Sequence, residues 1–358
     1  MDIQAVGAAL IRPGQLLTDA NAVAAVAQWA QAVTEADGIC RVRLTPGTDP
    51  CALALRLREQ GHLASPNHVY IGQPLYFGGP ASRPFPTEPF DFRPGTAERP
   101  VTVAVLDTGI AAHPWWNASH WYGEHGADCA DLPDASGSGG LDPQAGHGTF
   151  IAGLVLRAAP GAALQMVRVL DGDGIGDEAG VLRALGRLRA RAPQVLNLSF
   201  GGHTFDDLPS PMLAAALAAL PETVAVACAG NTATDRPFWP AALPQVVAVG
   251  ALDAAGAGRA PFSAYGPWVD ACAPGEWLAS SFLEHGAFHG YARWSGTSFA
   301  TALVSGAIAR AAGAEGCGSA AEAAERLLRG DDLRRLPGLG AVVAGHFADP
   351  QAMALAAR

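Results

Sequence analysis

Four side chains in this sequence have the types and the order needed to break an acyl bond. Asp107 closes the apolar run Val103-Ala104-Val105-Leu106, at the start of Asp107-Thr108-Gly109. His147 stands between two glycines in Gly146-His147-Gly148-Thr149, and Ser298 follows a glycine turn in Ser295-Gly296-Thr297-Ser298-Phe299-Ala300. Asn231 leaves another apolar run as Ala229-Gly230-Asn231. A serine hydroxyl becomes a useful nucleophile once a neighbouring base takes its proton. An imidazole does this near neutral pH, and a buried carboxylate sets its tautomer and stabilises the imidazolium. A serine at a helix N-terminus has backbone N–H groups aimed at developing negative charge, and a carboxamide adds a second donor. Each residue alone has a plainer reading, since Asp-Thr-Gly turns are ordinary strand ends and most histidines and serines are structural. The combination, in the order Asp, His, Asn, Ser, favours chemistry.

Such groups need a scaffold that presents them at one edge. From Val101 onward, short β-branched runs alternate with Ala/Leu-rich helical ones. Strands are predicted at 101–106, 164–170, 195–199, 224–229 and 246–250, and helices at 147–157, 178–191, 211–219 and 298–312. Continuous apolar strands separated by helices specify an α/β fold, with a parallel sheet covered by helices on both faces. Ligands and chemistry in such sheets collect at the carboxyl ends of the strands. The preceding part reads differently. Apolar spacing predicts a helix over 19–36 with Thr18 able to cap it, a strand over 38–46, a helix from Asp49 to near Gly61 and a strand over 62–71. The chain thus divides into a small α/β unit (1–70), a linker (71–100) with seven prolines, and a larger domain (101–358). No internal repeat is present.

The 358 residues are 49% hydrophobic and 16% charged, a composition that can fill a core and excludes a disordered chain. Net charge is −10, and all 23 basic residues are arginine. An acidic chain with no basic run is a poor binder of nucleic acid or anionic membrane. No stretch approaches the roughly 18 consecutive apolar residues of a membrane-spanning helix. The start, Met1-Asp2-Ile3-Gln4, carries an acid where a secretory leader carries positive charge, and Arg12 and Pro13 soon interrupt its apolar stretch, so no leader is expected. Cys40, Cys51, Cys129, Cys228, Cys272 and Cys317 include no C-x-x-C pair, which argues against a zinc ribbon and a disulfide scaffold. A cytoplasmic protein with free thiols is expected.

The motifs around the four residues resemble those of the subtilisin-like serine peptidases, the subtilase (S8) family. Beyond the triad, Val169-Leu170-Asp171-Gly172-Asp173-Gly174-Ile175-Gly176 is similar to that family's substrate-binding strand, and Asn197-Leu198-Ser199-Phe200-Gly201-Gly202 to its pocket wall. Trp239-Pro240-Ala241-Ala242, Val246-Val247-Ala248-Val249-Gly250-Ala251, Phe262-Ser263-Ala264-Tyr265-Gly266 and Ala273-Pro274-Gly275 extend the likeness over about residues 100–350. The resemblance implies a subtilisin-like α/β fold and a serine endopeptidase acting through an acyl-enzyme, with no cofactor and no catalytic metal. Asp107 would orient His147, the general base and later acid, and Ser298 would attack. Asn231 and the Ser298 backbone N–H would hold the oxyanion. A peptide or protein substrate would lie extended beside Gly174, Ile175 and Gly176 and beside Ser199, Phe200 and Gly201. Ala302, Leu303 and Phe150 depart from residues frequent in the family and imply packing changes only. The short Leu156-Arg157-Ala158-Ala159-Pro160-Gly161 link implies loss of a calcium loop common in secreted relatives.

The resemblance reaches more loosely into the N-terminal unit. Residues 38–71 resemble the second half of a subtilase propeptide, and Ser65-Pro66-Asn67-His68-Val69-Tyr70 the strand that leads it into the active site. The unit is therefore expected to be prodomain-like and an intramolecular inhibitor docked on the two helices nearest the cleft. Activation would cut between about Tyr70 and Pro100. The alternative is a peptide-binding subtilase relative permanently blocked by that unit. An α/β-hydrolase esterase is disfavoured, since no G-x-S-x-G elbow surrounds Ser298 and that fold's order is Ser, acid, His.

Other candidate sites are weaker. Asp171, Asp173, Asp177 and Glu178 hint at a calcium loop, but Ile175 occupies the fifth position. His120-Trp121-Tyr122-Gly123-Glu124-His125 has one spacer too many for H-x-x-E-H. Glu284, His285 and His289 read as a solvated loop, and Trp115, Trp116 and Trp121 as packing under a long loop. Asp171, Asp173, Asp177 and Glu178, with Asp206 and Asp207, flank the proposed substrate strand and predict a preference for Arg or Lys near the cut.

Overall fold

Antiparallel strands build the N-terminal unit and a mainly parallel sheet the larger part, in a computed structural model that describes residues 2–72, 83–97, 99–125 and 129–343. β1 (Gln4–Val6) and β2 (Ala9–Thr18) form a hairpin. Asp19 then accepts from the Ala22 N–H and opens a short helical stretch that includes α1 (Val23–Val26). The helix expected over 19–36 stops halfway. Its second half is β3 (Ala30–Ala36), paired antiparallel with β4 (Ile39–Leu44). Thr18 is not the cap either, because its hydroxyl donates to the Leu63 carbonyl. α2 (Pro50–Glu59) begins where predicted: Asp49 accepts from the Cys51 and Ala52 N–H groups, and Pro50 stands where no N–H is needed. Leu53, Ala54 and Leu57 of α2 pack on Leu16, Val42 and Leu44. β5 (Ala64–Gly72) lies antiparallel to β2 on the opposite side from β4.

Of the proline-rich stretch, residues 73–82 lie outside the described residues. The described remainder is held rather than slack, which corrects the reading of 71–100 as linker throughout. Ile71 and Gly72 belong to β5, and β6 (Phe85–Pro86) pairs with Arg293 and Ala292. Phe90 and Phe92 meet the Trp115 ring at 5.4 and 4.9 Å between centroids. Packing of these aromatics overrides the disruptive effect of the prolines.

Along the chain follow β7 (Thr102–Asp107), α3 (His120–His125), α4 (His147–Ala158), β8 (Ala163–Arg168), β9 (Ile175–Asp177), α5 (Glu178–Leu188), β10 (Val195–Leu198), β11 (Phe200–Gly201) and α6 (Pro211–Ala218). After these come β12 (Val224–Cys228), β13 (Val246–Leu252), β14 (Ala271–Pro274), β15 (Leu278–His285), β16 (Phe288–Trp294), α7 (Thr297–Ala312), α8 (Ala320–Arg329), β17 (Arg335–Leu336) and β18 (Gly340–Val342). The main sheet runs β17-β18-β14-β13-β12-β10-β7-β8, parallel except at β17–β18. Alternation along each strand divides the core. Val103 and Val105 face α4, α7 and α8, whereas Ala104 and Leu106 face α5 and α6. Helices therefore cover both faces, as continuous apolar strands require. α4 is buried on all sides and crosses α7 closely: a Cβ on Gly306 would lie 2.5 Å from that of Ala158. The expected solvated loop at Glu284, His285 and His289 is the end of the β15–β16 hairpin, where Glu284 opposes His289 and His285 opposes Phe288.

The tryptophans pack as expected, around a histidine the sequence did not single out. His113 is 1% exposed among Trp115, Trp116 and Tyr291, and it donates from Nε2 to the Gly290 carbonyl (3.0 Å) while Nδ1 accepts from the Trp115 N–H (3.2 Å). A carbonyl can only accept and an N–H only donate, so the ring is neutral with its proton on Nε2. Burial lowers its pKa to about 4 from the ordinary 6.5. The unfolded chain thus takes up this proton first, and stability that is complete above the unfolded pKa is lost as the pH falls toward about 4. The expected loss is about 2–3 kcal/mol. Urea unfolding at pH 7 and 4.5 should show a smaller acid-induced drop for His113→Gln than for the wild type; equal drops would exclude His113 as the cause.

Candidate active site

Asp107 is the last residue of β7 and His147 the first of α4, so a strand end and a helix start bring them together. His147 Nδ1 lies 2.8 Å from Asp107 Oδ1, which also accepts from the Thr108 N–H at 2.8 Å. A carboxylate partner requires a proton on Nδ1 and leaves Nε2 as the basic nitrogen. Both residues are fully buried. The His147 ring packs against Trp294 and Phe299, at 5.6 and 5.4 Å between centroids. Gly148 makes the approach of α4 to β7 possible, because a Cβ there would stand 2.2 Å from the Gly109 carbonyl oxygen. The Gly148 N–H is received by the Thr108 hydroxyl (2.9 Å).

Ser298 is the second residue of α7, one position before the Phe299 that touches the His147 ring. Its hydroxyl donates to the Ser199 carbonyl (3.1 Å), and the Ser199 hydroxyl donates to the Ser298 carbonyl (3.0 Å). Asn197 extends this link, donating to Ser199 Oγ (2.8 Å) and accepting from Ser305 Oγ (3.0 Å), so β10 and α7 are tied by buried hydrogen bonds. Asn231 follows β12, and its Oδ1 accepts from the Thr297 N–H (3.0 Å) and hydroxyl (2.8 Å). The backbone N–H can only donate, which fixes Oδ1 toward Thr297 and makes Nδ2 the donor end of the carboxamide. At the end of β12, burial pushes the Cys228 thiol up to about 12, partly offset by hydrogen bonds with Ser298 and Thr297. That thiol stays protonated.

The six substrate-strand residues flank a single strand, and it is the chain's own β5. Ile71 pairs with Ile175 and Tyr70 with Gly176 on one side; Gly72 pairs with Phe200 and Ile71 with Gly201 on the other. The Gly72 N–H donates to the Gly174 carbonyl at 2.7 Å. Ser199 adjoins Phe200 and carries the bond to Ser298. α5 and α6, the helices beside this track, pack against β5.

A family model described as the subtilase family matches residues 98–331. The chain belongs to the subtilase family. It is 35% identical over 220 residues to subtilisin BL of Lederbergia lenta, covering 58% of this chain and 75% of that protein. Against thermitase of Thermoactinomyces vulgaris the identity is 30% over 252 residues, covering 68% and 83%. Against the thermostable alkaline protease of Halalkalibacterium halodurans it is 34% over 222 residues, covering 58% of this chain and 55%, about half, of that relative. The solved structure of a cold adapted subtilisin-like serine proteinase matches with a TM-score of 0.54 and 25% identity, over 70% of this chain and 89% of that one.

In this subtilase Phe150 packs against Phe299 with the rings tilted (4.5 Å between centroids), while Ala302 and Leu303 are buried within α7, so these departures fall on packing positions. Sequence reasoning missed Asp131. This buried carboxylate accepts from the Gly146 and Thr149 N–H groups (3.1 and 3.3 Å) and from the Thr108 and Thr149 hydroxyls (3.2 and 2.9 Å), and so braces the turn that starts α4. Burial raises its pKa while these bonds oppose the rise. No local motif marks it. The acidic cluster expected to line the cleft is mostly engaged elsewhere, which corrects that expectation. Asp171 accepts from the Asp173 and Ile175 N–H groups, Asp177 caps α5 and pairs with Arg12, Asp206 pairs with Arg58 and Asp207 with Arg236. Of the four engaged acids and Glu178, Glu178 is the one bonded to side chains of β5. Among the described residues no group of three or more His, Cys, Asp or Glu is placed to hold a metal ion.

Proposed function

We propose that the chain is a serine endopeptidase whose N-terminal unit acts as an intramolecular inhibitor. One observation carries this reading: β5 occupies, in extended form, the track between β9 and β11 that ends at Ser199 and Ser298. A substrate entering the same track adds a strand in the same way. Ser298 Oγ then forms a bond to the substrate carbonyl carbon as its proton passes to His147 Nε2, and Asp107 stabilises the imidazolium. The Asn231 Nδ2 and the Ser298 backbone N–H receive the oxyanion. The C–N bond breaks as His147 returns the proton to the leaving amine, and water releases the acyl group by the same steps. These residues need no cofactor.

Complete burial of Ser298 and His147 favours a second reading, a peptide-binding relative permanently blocked by β5. The two readings part on a single backbone change. Gly72→Pro removes the N–H that Gly174 receives, and its added Cβ would meet Leu170 Cδ1 at 2.8 Å. A lost backbone hydrogen bond with overpacking is worth about 1.5–2.5 kcal/mol, so hydrolysis of quenched peptides should rise roughly 10–100-fold. A variant that is folded but no more active than an inactive wild type would favour the blocked binder. Of the segment expected to hold the activation cut, between about Tyr70 and Pro100, residues 73–82 and 98 lie outside the described residues.

A further inference from the structure

Resting on the endopeptidase reading, we propose that Glu178 is a specificity-determining residue that selects tyrosine at the fourth substrate residue before the cut bond. The count comes from the register of β5. Gly72 opposes Phe200, so a peptide in this register places its next residue opposite Ser199, whose carbonyl holds the Ser298 hydroxyl. That next residue supplies the acyl group. Counting back from it, the positions of Gly72, Ile71 and Tyr70 are second, third and fourth, and the fourth pairs with Gly176.

Glu178 is the first residue of α5 and is fully buried. Its Oε1 accepts from the Ser210 hydroxyl of the catalytic part. Its Oε2 receives three donors from β5: His68 Nδ1 at 2.7 Å, the Ser65 hydroxyl at 3.3 Å and the Tyr70 hydroxyl at 3.3 Å. Residues 68 and 70 reach the same carboxylate because alternate residues of a strand share a face. A buried carboxylate is costly unless donors surround it. When β5 leaves, Ser210 and the helix N-terminus remain, and a peptide taking the track must supply the missing donors. The Tyr70 ring lies 6.0 Å from that of Phe200, so the position offers an apolar wall with an acceptor at its end. Burial and the adjacent Glu178 keep the Tyr70 hydroxyl protonated, as a donor. Phenylalanine fills the same wall and leaves the acceptor without its donor, which is how a site built around a hydroxyl rejects the analogue lacking it.

The test uses the Gly72→Pro chain and two peptides differing only in Tyr or Phe at the fourth position before the cut. The Tyr peptide should have a kcat/KM at least about 10-fold higher. Glu178→Leu in the same chain should invert the preference toward Phe, a gain that an unfolded variant could not show. Equal kcat/KM for the two peptides with Glu178 present overturns the proposal. Cleavage of neither peptide would count against the endopeptidase reading, and urea unfolding of the Ser298→Ala chain then decides the recognition itself. There Tyr70→Phe should lower the midpoint when Glu178 is present and leave it unmoved in the Glu178→Leu background. Additive effects of the two changes overturn the proposal.

Discussion

Ser298→Ala, made in the Gly72→Pro chain, is expected to lower kcat for peptide hydrolysis by roughly 10⁶, the size known for the corresponding change in subtilisin. Ser298 supplies the atom that bonds to the substrate, and the Thr297 hydroxyl just before it is engaged on Asn231 Oδ1. The oxyanion donors and the substrate track would remain, leaving roughly 10³–10⁴-fold catalysis over water. His147→Ala should lose about as much, since without the base the hydroxyl is a weak nucleophile. Combining the two changes should add little, because both remove the same step. KM should scarcely move, as β9 and β11 bind the peptide backbone independently of these side chains. Near-full activity in Ser298→Ala would exclude the triad.

Asn231→Ala is expected to cost about 10²–10³ in kcat, again the size known from subtilisin. The alanine also strips Thr297 of the acceptor for its N–H and hydroxyl, so part of its effect could be local disorder at the start of α7. Asn231→Asp separates the two. It keeps an oxygen toward Thr297 but replaces the donor end by a second acceptor, whose charge opposes an oxyanion. The aspartate variant should therefore lose at least as much kcat as the alanine variant while unfolding at nearly the wild-type urea concentration. Substantial activity in Asn231→Asp would show that the carboxamide serves structure alone.

The parallel sheet and the residues at its carboxyl edge were legible in the sequence for a local reason. Strands such as β7 and β12 are buried on both faces, so they read as continuous β-branched runs, and a polar residue at the end of each stands out. β3 was misread because its exposed residues carry no alternating pattern, and the Ala/Val/Gln composition of 19–36 fits a helix equally well. Pairing with β4, a tertiary effect, decides it. The β15–β16 hairpin was hidden by the charged and histidine residues at its tip. Asp131 and the Glu178 network escaped for a different reason. Their partners lie 15 to 113 residues away, and no local spacing encodes such contacts. The acidic cluster shows the same limit: six carboxylates near one track look alike in sequence, and partners as distant as Arg12, Arg58 and β5 decide what each of them meets.

Labelling by a fluorophosphonate, followed by intact mass and peptide mapping, tests the nucleophile and its self-occupied cleft together. The reagent traps a serine that is both activated and reachable. The full-length chain should label slowly and the Gly72→Pro chain roughly 10–100-fold faster, with a single adduct on Ser298 in both. The adduct should vanish in Ser298→Ala. No adduct in the folded Gly72→Pro chain, or an adduct on another residue, would contradict Ser298 as the nucleophile, and equal rates in the two chains would contradict β5 as its inhibitor.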